Sequence, residues 1–205
     1  GLMLSVVDLL EAELPKDAGP ARAQPTLVRD VQRAVFGTQV HRLLELLQVN
    51  LSAAWRDLAT SWFGERAGEV IKGVEWVQTV TDPPMAHLFK KSFAEWGFQA
   101  RTAAGILEGQ IDLWGEVDGQ IWILDYKSGD PRYVEKAFAQ LDIYAYALRR
   151  FGHTKPIQLA VIYPFDQQIK QRAARSMSEV IERFPQLRFE GAGKKTRKRS
   201  LPELE

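Results

Sequence analysis

The dipeptide Asp118-Gly119 constrains this chain more than any other pair of residues. It stands between two apolar runs, ILEGQIDLWGEV and QIWILDYK. A type I′ turn needs positive φ at both central positions, so Asp-Gly between apolar runs signals a two-residue hairpin. Such a turn pairs Val117 with Gln120. Stepping back along both strands sets Asp112 opposite Asp125. The two carboxylates then share a sheet face with Cβ atoms ~5 Å apart, a spacing at which like charges destabilise. A divalent cation relieves the repulsion economically, because hard oxygen ligands suit Mg2+ or Mn2+. Lys127 lies two residues beyond Asp125 and points to the same face, with Gln110 opposite it.

From Ile121 to Leu124 the second strand is wholly apolar. Its Asp-x-Lys ending has two explanations. One is a structural ion pair at a strand end, since such networks are common. The other is a reactive constellation. Asp112 favours the second, because two acids facing one lysine leave an excess negative charge.

The remaining elements place this hairpin in an α/β chain. Strands are predicted over 94–103, 106–114 and 120–127, and IQLAVIYPF (157–165) reads as another. A short first helix is followed by a Pro- and Ala-rich loop at 15–26. Apolar residues then recur at three and four from Val31 to Leu47, the period of one amphipathic helix or two abutting ones. Helices are expected over 51–62 and 65–79, and Asp82-Pro83-Pro84 opens a short one. Asp130 and Pro131 suit the N-cap and first position of a helix that Gly152 ends. A last helix is expected over 176–184. The expected organisation is an N-terminal helix and loop (1–26), a main domain (27–190) and a basic, unstructured tail (191–205) containing KKTRKR.

Composition excludes several chemistries. With no cysteine there is no disulfide framework, thiolate zinc site, Fe–S cluster or cysteine nucleophile. No apolar run approaches the ~20 residues of a membrane span, and no secretory h-region is present. The first residue is Gly1, as in an expression scar or an excised fragment, and the expectation is a soluble, cytoplasmic protein. Charge is nearly balanced, with 27 Lys+Arg against 26 Asp+Glu. A nucleic-acid binder is expected to be basic. The last twenty residues hold six Lys/Arg and three Asp/Glu, so the rest carries a net −2.

Three more positions are candidates. Gln140 and Tyr144 stand four apart on one helix face; a packed Tyr beside a solvated Gln explains them equally well. His41 lies on the earlier helix, where a lone histidine is usually a surface or core residue. Gly37, four before it, costs ~1 kcal/mol against Ala inside a helix, which is easier to explain if another backbone approaches there.

GTQVHRLLE (37–45), LEGQID (107–112), ILDYKSG (123–129) and QLDIYAYAL (140–148) occur in that order. Together they resemble the motifs G-x-x-x-H, G-x-x-D, D-Y-K-[ST] and Q-x-x-x-Y of the RecB-type nuclease domain. That domain belongs to the PD-(D/E)xK superfamily and lies at the C-terminus of RecB- and AddA-like helicase–nucleases. The resemblance implies a restriction-endonuclease-like core, with a mixed central sheet flanked by helices and a helical N-terminal portion. It implies a Mg2+-dependent (or Mn2+-dependent) deoxyribonuclease, an exonuclease of double-strand-break repair or recombination. Its partners would be DNA and a helicase domain or subunit, with no membrane. Asp112, Asp125 and Lys127 would be catalytic. His41, Asp112, Asp125 and the Tyr126 backbone carbonyl would hold the metal, and Gln140 and Tyr144 would position Lys127 and substrate. Glu95 stands near a glutamate of the family. The alternative is a catalytically inactive DNA- or partner-binding module of the same fold. Trp55 and Trp62, seven apart on a helix, form a candidate docking face for the helicase.

Overall fold

The computed structural model describes residues 2–12, 23–49, 54–82, 84–90 and 93–188; for 23–31, 33, 48, 49 and 93–95 it describes the backbone alone. The basic tail and residues 15–22 of the loop expected after the first helix lie outside the described residues, and so does the Glu95 side chain; residues 23–26 of that expected loop are instead the start of a helix. Six strands form one mixed sheet. They are β1 (Met3–Ser5), β2 (Phe93–Thr102), β3 (Gly105–Val117), β4 (Gln120–Tyr126), β5 (Ile157–Tyr163) and β6 (Gln168–Ala173). The helices are α1 (Val6–Glu11), α2 (Ala23–Val49), α3 (Trp55–Phe63), α4 (Ala67–Thr79), α5 (Met85–Leu88), α6 (Val134–Arg150) and α7 (Met177–Arg183).

The hairpin forms as the sequence dictates. Asp118 and Gly119 take φ of 51° and 76°, and the register runs from Val117↔Gln120 to Leu113↔Leu124. β4 pairs in parallel with β5, and α6 crosses between them, as a parallel pair requires. The Asp130 carboxylate accepts from the Arg132 N–H at 2.9 Å, capping the turn that leads into α6.

The central strand β3 carries three partners. Along one edge it pairs with antiparallel β2 over its first ten residues. Along the other it pairs with parallel β1 at Ile106–Glu108, and with β4 only from Leu113 onward. Residues 109–112 therefore face no strand on that edge: the sheet splits there. Side-chain alternation also reverses at Asp112. Leu107 and Ile111 belong to the core beneath α1, α6 and α7. Leu113 belongs to the opposite core, against α2–α5, while Trp114 returns to the first.

Two strands were not legible in the sequence. In β6 (QIKQRA) four of the six residues are exposed and none is buried, so the strand looks like loop until β5 pairs with it. β1 is three residues long, and it is held because Gly105 (φ +148°) admits the Leu2 carbonyl. A Cβ on Gly105 would stand 2.2 Å from that oxygen. Trp55 is buried in the α2–α5 core and Trp62 packs half-buried against it. The pair is therefore not a free docking face, because α3 turns it inward onto α2 and α4.

Candidate active site

The split in the sheet is where residues from four elements meet. β3 brings Asp112, β4 brings Asp125 and Tyr126, and Lys127 follows β4 directly. His41 arrives from α2 on one side, and Gln140 and Tyr144 from α6 on the other. A continuous sheet would keep two helix layers apart; at the missing pairing of 109–112, α2 reaches Asp112 through His41 and α6 reaches Lys127 through Gln140.

The ladder stops one pair short of the acids, so Asp112 and Asp125 are not joined through their backbones. Instead Asp112 Oδ2 accepts the Tyr126 N–H at 3.1 Å. The side chain of one strand has captured the backbone of the other. The same oxygen lies 3.3 Å from His41 Nδ1, and His41 Nε2 donates to the Tyr126 carbonyl at 2.6 Å. With an acceptor at each nitrogen, the imidazole satisfies both by carrying two protons. Burial alone would lower its pKa; Asp112, with Asp125 behind it, instead raises it to about 8. Burial would likewise raise the Asp112 pKa, but His41 and the Tyr126 N–H hold it below the ordinary range.

Asp125 is fully buried, and its pKa is pushed up to about 6 by that burial, with Asp112 adding to the rise and Lys127 opposing it. Lys127 Nζ stands 2.8 Å from Asp125 Oδ2 as an ion pair. The angles do not make a hydrogen bond, and this buried oxygen has no hydrogen-bond partner. Burial would lower the Lys127 pKa, but Asp125 and Asp112 hold it above its ordinary value. Lys127 Nζ also donates to Gln140 Oε1 at 3.0 Å, and Gln140 Nε2 donates to the Tyr144 hydroxyl at 2.7 Å. The Tyr144 oxygen in turn takes the Gln110 backbone N–H.

All seven groups named from the sequence thus converge: His41, Asp112, Asp125, the Tyr126 carbonyl, Lys127, Gln140 and Tyr144. Two supporting positions are placed by their neighbours. Gly37 meets the Ser128 side chain rather than another backbone; a Cβ there would stand 3.3 Å from Ser128 Oγ. Gly109 was quoted only as part of a motif. A Cβ on it would stand 2.8 Å from the Phe98 ring and 3.0 Å from the Tyr144 ring. A glycine inside a strand marks such close approach, so its signal was present in the sequence.

A divalent cation fits the donors present. They are carboxylate and carbonyl oxygens with one imidazole, and the buried Asp125 Oδ2, which faces the Lys127 ammonium at 2.8 Å, accepts no hydrogen bond. Among the described residues no three acidic or histidine side chains form a closed cage. His41, Asp112 and the Tyr126 carbonyl are bonded to one another, with the imidazolium supplying the positive charge.

A split mixed sheet, layered between helices and carrying two acids and a lysine at its break, defines a restriction-endonuclease-like α/β fold. The chain belongs to the PD-(D/E)XK nuclease superfamily, whose family model matches residues 16–199. No curated protein matches it. The solved structure of SSO0001 overlaps 89% of this chain and 73% of its own length, at 12% identity and a TM-score of 0.43. That likeness is too loose to bear on the site.

Proposed function

We propose that this chain is a metal-dependent deoxyribonuclease that hydrolyses phosphodiester bonds at the split of its sheet. The observation that carries the proposal is the convergence of Asp112, Asp125 and Lys127 with His41 from one helix layer and Gln140 from the other. Asp112, Asp125, His41 and the Tyr126 carbonyl would hold Mg2+ or Mn2+. The bound ion would supply a Lewis acid for the developing phosphoryl charge and a more acidic water.

The protein's own groups do the rest. Asp125 draws Lys127 into the site, and Gln140 fixes the direction of its ammonium group. Held above its ordinary pKa, Lys127 stays charged at neutral pH. It acts by orienting the attacking water and stabilising negative charge on the phosphate, not as a base. Tyr144 holds Gln140 through one hydrogen bond and is itself held by the Gln110 amide. The positioning chain is therefore anchored in the sheet, and its geometry does not depend on a flexible loop.

Beyond this, the ordered motifs support a RecB-type domain, acting as an exonuclease in break repair or recombination on strands delivered by a helicase. The near-balanced charge supports that pairing, since a basic partner would supply phosphate contacts that this chain lacks. The test is cleavage of labelled linear single- and double-stranded DNA in Mg2+ or Mn2+, with Asp125→Ala and Lys127→Ala as comparators. Loss of at least 100-fold in either variant is expected, in line with removing electrostatic stabilisation. Equal activity in wild type and Asp125→Ala would overturn the site. A metal-supplemented wild type that binds DNA without cutting it would favour an inactive binding module.

A further inference from the structure

Among the described residues, three cavities that border the site differ in charge. One reaches only the ring side of Tyr126. A second, against Tyr144 and Gln110, is rimmed by Glu108, which repels phosphate. The third, of about 360 Å3, opens directly onto Lys127 and Gln140 and is rimmed by Tyr133 and Lys136.

Tyr133 is unusual. It is 72% exposed, it makes no ring contact among the described residues, and it sits on the turn that Asp130 caps. Lys136 makes no ion pair among the described residues. The nearby Asp130 carboxylate is neutralised by Arg132 at 2.6 Å. The rim therefore presents one bare aromatic face and one free cation, joined by an apolar floor that includes Leu10 and Tyr163 to the lysine of the site.

We propose that this cavity is the track for the nucleotides flanking the cleaved phosphate, with Tyr133 stacking on an unpaired base and Lys136 meeting its phosphate. The substrate it takes is single-stranded or frayed DNA, because a base must be unstacked to lie on an aromatic ring. A chain with so little net positive charge needs such a contact, since stacking does not depend on charge. The inference rests on the nuclease proposal only for where the cleaved phosphate lies.

The test uses the full chain on an Asp125→Asn background, so that binding is read without cleavage. Its probes are a fluorescein-labelled oligothymidylate, a blunt duplex of equal length, and a single strand with a terminal 2-aminopurine. Tyr133→Ala is expected to weaken single-strand binding about tenfold and to abolish 2-aminopurine quenching, with Tyr133→Phe staying within about twofold of the parent. Lys136→Gln is expected to lower the slope of log affinity against log salt by about 0.7. Tyr133→Ala binding like its parent overturns the proposal, as does an equal loss on blunt duplex or no single-strand binding by the parent. Cleavage by the wild type separates the two proposals. Tyr133-dependent binding without cleavage leaves the track and removes the nuclease. Cleavage with an unchanged KM in Tyr133→Ala does the reverse.

Discussion

The pKa values of His41 and Asp125 are both raised in the folded chain, and the pH dependence of the metal-free protein should show it. A group whose folded pKa is raised adds stability below its ordinary value and loses it as pH rises through the folded value. For Asp125 that window runs from 3.8 to about 6, and for His41 from 6.5 to about 8. Both act in the same direction. In EDTA the melting temperature is therefore expected to fall by roughly 3–6 °C between pH 5 and 9. His41→Gln should remove the part of the fall above pH 6.5. Mg2+ should stabilise most at the alkaline end, because the ligands must be deprotonated to bind it. A melting temperature in EDTA that climbs across that range would count against the assigned contacts. Gly109 supplies a second prediction at this scale. Gly109→Ala forces a methyl against the Phe98 and Tyr144 rings, which overpacking places at about 1–3 kcal/mol of stability. Tyr144 must then shift, Gln140 loses its anchor and Lys127 its direction. The expected kinetic result is a kcat loss of about tenfold with KM little changed, read on protein verified as folded by circular dichroism.

At the scale of elements, α6 is held to the sheet on two faces. Near its middle it presents Gln140 to the site. Two residues on, Asp142 is buried on another face and takes a bidentate contact from Arg172 of β6, at 3.0 and 2.6 Å, with the Arg175 N–H at 2.9 Å. Arg172 also lies over the Phe138 ring, 4.6 Å from its centroid. This clamp registers α6 against an edge strand that has few apolar contacts of its own. Removing one partner of a buried pair leaves the other group uncompensated. Arg172 is only partly buried, so Asp142→Ala is expected to cost about 2–3 kcal/mol, toward the low end for such pairs. Urea unfolding should show the loss as a lower midpoint with unchanged slope. Cleavage at a permissive temperature should be nearly unchanged, since the clamp lies away from Lys127. A large activity loss there would mean that β6 sets the site geometry.

For the whole molecule, charge balance and architecture point the same way. The chain carries a net +1, and its candidate site sets two acids against one histidine and one lysine. Each phosphate neutralised by the protein steepens the salt dependence of binding. This chain alone is expected to bind single-stranded DNA with a log–log salt slope no steeper than about −3, measured by fluorescence anisotropy from 50 to 200 mM salt. A much steeper slope would show a basic surface large enough to dispense with a partner. Among the described residues no helix is long and apolar enough to cross a membrane.

Much of this was legible in the chain because the decisive interactions are local. Asp118-Gly119 selects its turn through φ alone, and that turn sets the register which brings Asp112 beside Asp125. Period and capping marked α6, and spacing along it put Gln140 and Tyr144 on one face. The ordered motifs pointed to the superfamily that the family model then identified. Other features depend on partners distant in sequence. β6 is polar and becomes a strand only when β5 offers a ladder. β1 exists because Gly105 admits its carbonyl. Trp55 and Trp62 turn inward because α3 folds onto α2 and α4. The split of the sheet at 109–112 decides the site. It arises from where β1 ends and β4 begins along β3, a matter of tertiary pairing that no local pattern encodes. Spacing by itself named the acids and the lysine; the split is what allows a histidine from one helix layer and a glutamine from the other to meet them.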